Sequence, residues 1–288
     1  MTWAIAAISG MLFQSVRAAC QKTLNQALPT DVVNWVRYLF GAPWIAGALT
    51  LCWLNDALPA VTPLFFIYCA GAAGSQIIGT HCLVVLMAKQ FSLGITYANT
   101  QPILTVLLGL VFFQEPIAWV SSMAIGIGVL GVLIVSKSPH NARYWSGLGM
   151  GVFSGACFSL TSLWVRQATL QLNTAPLISS LATLGTVVGL QTVCLGGWLL
   201  YRYRNSLIQQ IRQHWRVCSA IGATSIAGSS CWFLGFTLTH PAYVQTVAQL
   251  ELIVSLGITR FYFKESLKTS DMIGMGLILL GILGLLWL

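Results

Sequence analysis

The sequence predicts an all-α membrane protein with ten transmembrane helices, arranged as two inverted five-helix repeats. Three observations support this fold class. Of the 288 residues, 57% are hydrophobic and only 7% are charged, whereas soluble domains carry about 25% charged residues. The apolar residues form runs long enough to cross a bilayer. The C-terminal half of the chain also repeats features of the N-terminal half in the same order.

The ten predicted helices follow from the length needed to span the hydrocarbon core, which is about 20 apolar residues. The segments are 3–21, 32–54, 64–86, 93–113, 117–136, 145–166, 175–200, 217–238, 243–263 and 270–288. Because backbone groups in hydrocarbon must satisfy their own hydrogen bonds, we expect these segments to form a helical bundle. The first segment lacks a basic leading region and a clear cleavage site, which predicts a retained helix rather than a signal peptide.

The charged residues and cysteines limit the classes of partner. The formal net charge is +8, but the basic residues lie singly between apolar runs. This distribution predicts loop charges that orient helices rather than a nucleic-acid surface. The eight cysteines contain no C-x-x-C pair and lie in or beside apolar stretches. We therefore expect no disulfide framework, no metal site and no cofactor.

An internal repeat becomes visible when the chain is shifted by about 150 residues against itself. The matches are FFQE at 112–115 with YFKE at 262–265, Gly126 with Gly276, Gly131 with Gly281, and Gln101 with Glu251. Their order predicts two repeats, residues 1–138 and 143–288. Since five helices are an odd number, the second repeat would enter the membrane from the opposite side. Inverted repeats of this kind are typical of transporters, whose halves exchange conformations to give alternating access.

The repeated motif resembles a known family. In each half, an aromatic-rich run ends in Glu115 or Glu265 and a Gly-rich helix follows. In these features the chain resembles the drug/metabolite transporter superfamily, specifically its EamA family of ten-helix carriers, over nearly its whole length. The family pattern usually has Gly just before the Glu, where this chain has Gln114 and Lys264. The resemblance implies a central cavity and the export of amino acids, metabolites or drugs.

The expected function is secondary transport of a small-molecule substrate across a lipid bilayer. We expect export of small organic metabolites, amino acids first, by alternating access. The alternative is a proton-coupled exporter of lipophilic cations or drugs, and movement of lipids is a third option. An enzyme is not expected, because the chain has no H-E-x-x-H helix, no paired Asp residues deep in helices and no recognisable triad. It also has no G-x-x-x-x-G-K loop for ATP.

Glu251 is the strongest candidate for a functional side chain, because it is the only carboxylate deep in a predicted segment. A desolvated carboxylate can exchange protons near neutrality, or it can hold a cationic substrate. The alternative is a structural hydrogen bond or ion pair with another helix. The matching residue Gln101 cannot titrate, so proton coupling through this pair would be asymmetric.

Other candidates for substrate binding are polar or aromatic residues inside predicted segments, where polar side chains are costly and functional by default. They are Asn99, Gln101, His81, Arg17, Tyr97 and Trp232. Arg17 could bind a carboxylate or balance Glu251, and His81 could bind substrate or relay protons. The aromatic residues would suit a ring-bearing or quaternary ammonium substrate. For His81 a satisfied structural role is an equal alternative, and for the aromatic residues plain packing is the first expectation.

The sequence singles out two further residues, Pro102 and Arg37. Pro102 removes a helical hydrogen bond and should kink its helix beside the polar run Asn99 to Gln101. A freed carbonyl there would be a cavity feature. Arg37 lies about six residues into its segment, so we expect its side chain to snorkel to the membrane interface.

The basic residues are unequally divided between the two sides of the predicted bundle. One side carries Lys22, Lys89, Lys137, Arg143, Arg202, Arg204, Arg212, Arg216, Lys264 and Lys268, and the other carries Arg166. The positive-inside rule then leaves both termini outside, whereas the family resemblance implies cytoplasmic termini, so the orientation stays open. We expect a multi-pass protein of the bacterial inner membrane that functions as a monomer, with a homodimer as the alternative.

Overall fold

The computed structural model describes residues 1–55, 58–89, 101–115, 117–135, 142–203, 206–253 and 269–287. These residues form α-helices joined by short connections, and no strand occurs among them. Four stretches of the described helices are long and apolar enough to cross a membrane: Thr2–Gln21, Pro63–Leu83, Pro176–Tyr203 and Trp215–Leu238. The prediction of an all-α membrane protein is confirmed, while the number of ten spans remains a prediction.

The helices are numbered here in chain order over the described residues. They are α1 (Thr2–Leu24), α2 (Thr30–Leu39), α3 (Ala42–Leu54), α4 (Pro63–Lys89), α5 (Gln101–Phe113), α6 (Trp119–Val135), α7 (Ala142–Leu170), α8 (Pro176–Tyr203), α9 (Ser206–Gln213), α10 (Trp215–Leu238), α11 (Pro241–Ala248) and α12 (Thr269–Leu286). Each of the ten predicted segments overlaps at least one of these helices. Parts of four predicted segments lie outside the described residues, namely 93–100, 136, 254–263 and 288.

The predicted segment 32–54 is not one helix, because it is interrupted between α2 and α3 at Phe40 and Gly41. Pro43 stands at the start of α3. Its ring nitrogen carries no hydrogen, so it cannot donate to the carbonyl one turn earlier and the helical ladder breaks there. Helix α10 packs against this break, since a Cβ atom on Gly222 would clash with the backbone of Phe40.

The helices group into two compact units. The first unit comprises Met1–Ile8, Ile78–Leu163 and Thr239–Leu288, and the second comprises Ser9–Ile77 and Trp164–Leu238. Both units therefore contain residues from each half of the sequence.

In the first unit, α6 packs on α12 through direct contact of their backbones. A Cβ atom on Gly131 would lie 2.6 Å from the carbonyl oxygen of Gly274. A Cβ atom on Gly281 would lie 2.6 Å from the carbonyl oxygen of Ala124. Small residues at such positions let two helix backbones approach closely, which is a main source of packing energy between helices in lipid.

In the second unit, α2 packs against α8 and α10 around a buried apolar cluster. The cluster contains Leu24, Leu28, Val32, Val33, Trp35, Val36, Leu199, Ile211, Cys218 and Ile221. The indole nitrogen of Trp35 donates a hydrogen bond to the carbonyl oxygen of Thr192 on α8 at 3.0 Å. The glycine at position 196 leaves room for this ring, because a Cβ atom there would lie 2.7 Å from the Trp35 Nε1. Ile211 shows that α9, within the polar stretch between α8 and α10, also contributes to the core.

The backbone contact of α6 with α12 predicts a sharp difference between glycines on these helices. Gly131→Ala and Gly281→Ala should each lower the unfolding temperature in detergent, because the added methyl groups force the backbones apart at a cost of about 1–3 kcal/mol. Thermal unfolding of the purified variants measures this effect.

Gly126→Ala and Gly276→Ala are matched controls on the same two helices, since a Cβ atom at either position would have nothing within 4 Å. Equal unfolding temperatures for all four variants would show that the contact does not stabilise the protein.

Candidate functional site

A buried polar network ties together three helices of the first unit around Gln245 on α11. This side chain is only 6% exposed. Its Oε1 accepts a hydrogen bond from the Thr105 hydroxyl on α5 at 2.7 Å. Its Nε2 donates to the Ser162 hydroxyl on α7 at 2.9 Å. Because both ends of the amide are engaged, the network fixes the positions of the three helices instead of carrying an unsatisfied polar group.

Gln101, a sequence-predicted substrate residue, joins this network through its backbone. The Ser159 hydroxyl donates to the Gln101 carbonyl oxygen at 3.1 Å, and the Thr105 hydroxyl lies 3.0 Å from the same oxygen. The start of α5 is thus held against α7. Pro102 is buried in the first turn of α5. The chain just before Gln101 lies outside the described residues, so the predicted kink stays a prediction.

A second polar group of the first unit joins the end of α5 to the start of α11. The Nε2 of His240 lies 3.5 Å from the Oε2 of Glu115, and both side chains are largely buried. His240 also caps α11, because its Nδ1 accepts the backbone N–H of Ala242 at 3.2 Å. With Nδ1 as the acceptor, a neutral imidazole carries its proton on Nε2, facing the carboxylate. The glycine at 109 leaves room for this ring, since a Cβ atom there would lie 3.2 Å from Nε2.

The residue before Glu115 has an unusual backbone conformation. Gln114 has a φ angle of 51°, in the left-handed region that favours glycine over residues with a Cβ atom. The backbone N–H of Glu115 then bonds to the Gly109 carbonyl oxygen at 3.2 Å, which brings the carboxylate back over the end of α5. This conformation gives a physical reason for the glycine that the family pattern has at this place.

Glu251 and His81 are the two ionisable sequence candidates in the first unit, and both side chains are exposed. Glu251 lies just after α11, in a helical stretch that runs from residue 250 to 253. His81 lies on α4. An ionisable group facing lipid is strongly unfavourable. Exposure within apolar helices is therefore typical of groups that face a water-filled path or the interface.

The remaining sequence candidates have different surroundings. Arg17 is half-buried on α1. Trp232 lies on α10 in the second unit. A Cβ atom on Gly10 would lie 3.2 Å from its ring. The Trp232 ring also packs against the Phe236 ring, with 5.7 Å between the ring centroids. These contacts favour packing as the role of Trp232. Tyr97 and Asn99 lie outside the described residues.

A small cavity lies within the second unit, and Arg37, which we expect at the membrane interface, lines it. Four helices line it: α2, α4, α8 and α10. Arg37 is one of the lining residues and is only 6% exposed. The expectation that Arg37 snorkels to the interface is therefore wrong. The neighbouring helices α8 and α10 cover the side chain, which a distance from the helix end does not reveal.

An amide pair forms one wall of this cavity. The Nε2 of Gln191 on α8 donates to the Oε1 of Gln76 on α4 at 2.7 Å, and both residues line the cavity. Sequence reasoning missed Gln191 and, in the first unit, Gln245. Both are lone amides inside apolar helices, and Gln245 shares a helix face with Gln249 one turn later. That polar spacing was the available signal for α11.

Comparison with known proteins adds two findings. The sequence profile of the EamA-like transporter family matches residues 144–287. The crystal structure of another protein superposes on this chain with a TM-score of 0.70. The alignment has 15% sequence identity and covers 98% of this chain and 96% of the other. At that identity the second likeness shows the fold alone.

The Gln245 network predicts a loss of stability when its amide is removed. Gln245→Met keeps the length of the side chain but leaves the Thr105 and Ser162 hydroxyls without this partner, at a cost of about 1–3 kcal/mol. Thermal unfolding should show a clear decrease. Gln213→Met on α9, where the side chain is exposed, is the control and should unfold as the wild type does. An unchanged unfolding temperature for Gln245→Met would contradict a stabilising network.

The φ angle of Gln114 predicts the opposite effect for a glycine substitution. Gln114→Gly should raise the unfolding temperature, because it removes about 1 kcal/mol of left-handed strain. The control is Gln213→Gly at the end of α9, where glycine should lower the unfolding temperature. A Gln114→Gly variant that is less stable than the wild type would show that its side chain matters more than its backbone conformation.

Proposed function

The chain belongs to the EamA-like transporter family, and from that premise we propose that it is a secondary transporter that exports small organic metabolites, amino acids first. As a member of this family it is a membrane transporter of the drug/metabolite type. The finer proposal concerns its substrate class, its alternating-access mechanism and the residues that carry them.

The exposed carboxylate of Glu251 is the main support for a functional site in the first unit. Three polar residues precede it, Gln245 and Thr246 on α11 and Gln249 just after that helix, and all are buried. Gln245 ties the helix to α5 and α7, whereas Glu251, which follows, is exposed. We propose that Glu251 faces the aqueous substrate path and exchanges protons there during transport.

The contacts of α6 with α12 support the proposed ten-helix fold with two inverted repeats. A Cβ atom on Gly131 would meet Gly274 and Ile278, and one on Gly281 would meet Ala124 and Gly128. A shift of about 150 residues turns each set of contacts into the other. Reciprocal contacts of this kind are what a two-fold axis produces, and an inverted repeat has such an axis in the membrane plane. The two repeats would be residues 1–138 and 143–288, rocking about a central path.

The substrate-binding set proposed from sequence consists of Glu251, Gln101, Asn99, His81, Arg17, Tyr97 and Trp232. Within this set, the exposed positions of Glu251 and His81 support a role, and the packing of Trp232 on Gly10 weakens one. The alternative function is proton-coupled export of lipophilic cations, in which Glu251 would bind the substrate itself.

The two functions make different predictions for Glu251→Gln. For an amino-acid exporter, the variant should still be stabilised by its substrate in a thermal-shift screen, because the carboxamide keeps the shape of the site. Proton-driven efflux of the same labelled amino acid from proteoliposomes should fall at least about tenfold, because Gln cannot carry a proton.

Asp31→Asn is the matched control. It also removes a carboxylate, but Asp31 lies in the first turn of α2 and pairs with Arg202 on α8. Efflux should therefore persist in this variant. Stabilisation by quaternary ammonium compounds that disappears in Glu251→Gln would establish the alternative instead. Folded protein that neither binds nor moves any of these compounds would refute both.

A further inference from the structure

Arg37 is a buried charge in the second unit, and none of the described residues that line its cavity is acidic. The described residues around the cavity are Arg37, Tyr38, Gln76, Leu184, Val187, Val188, Gln191, Ser225, Ile226, Ser229 and Phe233. Asp31, on the same helix as Arg37, forms its ion pair with Arg202 at 4.0 Å. A buried guanidinium that lacks a counter-charge is strongly unfavourable. The electrostatics of this cavity therefore call for a negative charge.

Two hydrogen-bond donors of the cavity have no acceptor within the described part of the chain. They are the Nε of Arg37 and the hydroxyl of Tyr38, and both atoms are fully buried. The Arg37 guanidinium carbon lies 4.8 Å from the centre of the Tyr38 ring, within the range of a cation–π contact. Buried donors are nearly always paired in proteins, so each of these two donors calls for an acceptor that the described residues do not supply.

The rest of the lining fits an anion. The Gln76 amide uses its oxygen to accept from Gln191, which leaves its N–H₂ group as a donor. The hydroxyls of Ser225 and Ser229 on α10 can also donate. The remaining walls are apolar, and an apolar environment strengthens each hydrogen bond to a charge.

The size of the cavity limits the ligand to a few atoms. The cavity has a volume of about 10 Å³, which is room for about one water-sized ligand. Among anions, only a monatomic ion or the end of a carboxylate group is small enough for such a space. We propose that this cavity is a binding site for a small monovalent anion, held by Arg37 and Tyr38, with Gln76 and Ser225 as further donors.

The ligand has two chemical sources, an inorganic halide or the carboxylate of a transported molecule. The anion site does not rest on the substrate class proposed above, because binding can be measured without transport. An absence of amino-acid efflux would refute that substrate class and leave the anion site standing.

The test measures chloride binding to the purified full-length protein. Chloride replaces gluconate at constant ionic strength, gluconate being too large for the cavity, and thermal unfolding and ³⁶Cl⁻ scintillation proximity are read in parallel. The wild type should show saturable binding with a rise in unfolding temperature. Arg37→Gln should weaken chloride binding at least about tenfold, and Tyr38→Phe about fivefold, because each removes a hydrogen bond to a charged partner.

Arg202→Gln is the matched control, since its side chain is 55% exposed, and it should bind chloride as the wild type does. In gluconate alone, Arg37→Gln should unfold at the same temperature as the wild type or higher, because the substitution removes an uncompensated buried charge. If Arg37→Gln fails to fold, Tyr38→Phe carries the test.

Competition identifies the source of the anion. Displacement of ³⁶Cl⁻ by alanine but not by alaninamide would assign the site to a substrate carboxylate. Displacement by bromide but not by alanine would assign it to a halide, and either result supports the proposal. Unfolding temperatures that do not respond to chloride or alanine, or an unaltered response in Arg37→Gln and Tyr38→Phe, would overturn it.

Discussion

The structure depends on one constraint: a polar group surrounded by apolar helices and lipid must find its partner within the protein or in a bound ligand. For the backbone, this constraint is met by helical hydrogen bonds throughout the described residues. For side chains, it is met by a few amides and hydroxyls that connect helices. Gln245 joins α11 to α5 and α7, and Gln191 joins α8 to α4. Each such bond restricts how its helices can pack, because moving one helix would leave the amide without its partner.

The all-α membrane character was predictable from the sequence because a bilayer imposes a length on every crossing segment. The predicted segment 175–200 and α8, Pro176–Tyr203, differ by only a few residues for that reason. Local breaks were harder to predict. The interruption at Phe40 and Gly41 depends on Pro43, which was visible in the sequence, and on α10 packing against the gap, which was not.

The candidate site was less predictable, because a polar residue in an apolar run can be either buried in a network or exposed, and the sequence does not distinguish the two. The charge of Glu251 singles it out in the sequence, whereas Gln245, six residues earlier, is an uncharged amide. The structure separates them by their surroundings, since Gln245 is buried in a network while Glu251 is exposed. The distance of Arg37 from a helix end predicts that its side chain reaches the membrane interface, yet its burial depends on α8 and α10. Partners on other helices decide these roles.

The contact between α6 and α12 has a consequence for subunit stoichiometry. Each helix presents the same kind of surface to the other, with a glycine of one against a carbonyl oxygen of the other in both directions. Such a surface is complementary to itself, as the interfaces of symmetric homodimers are. A protein half this length that carried only one of these helices could therefore bury the same surface against a second copy of itself. In this chain both helices belong to one polypeptide, so the contact forms within the molecule and does not depend on protein concentration.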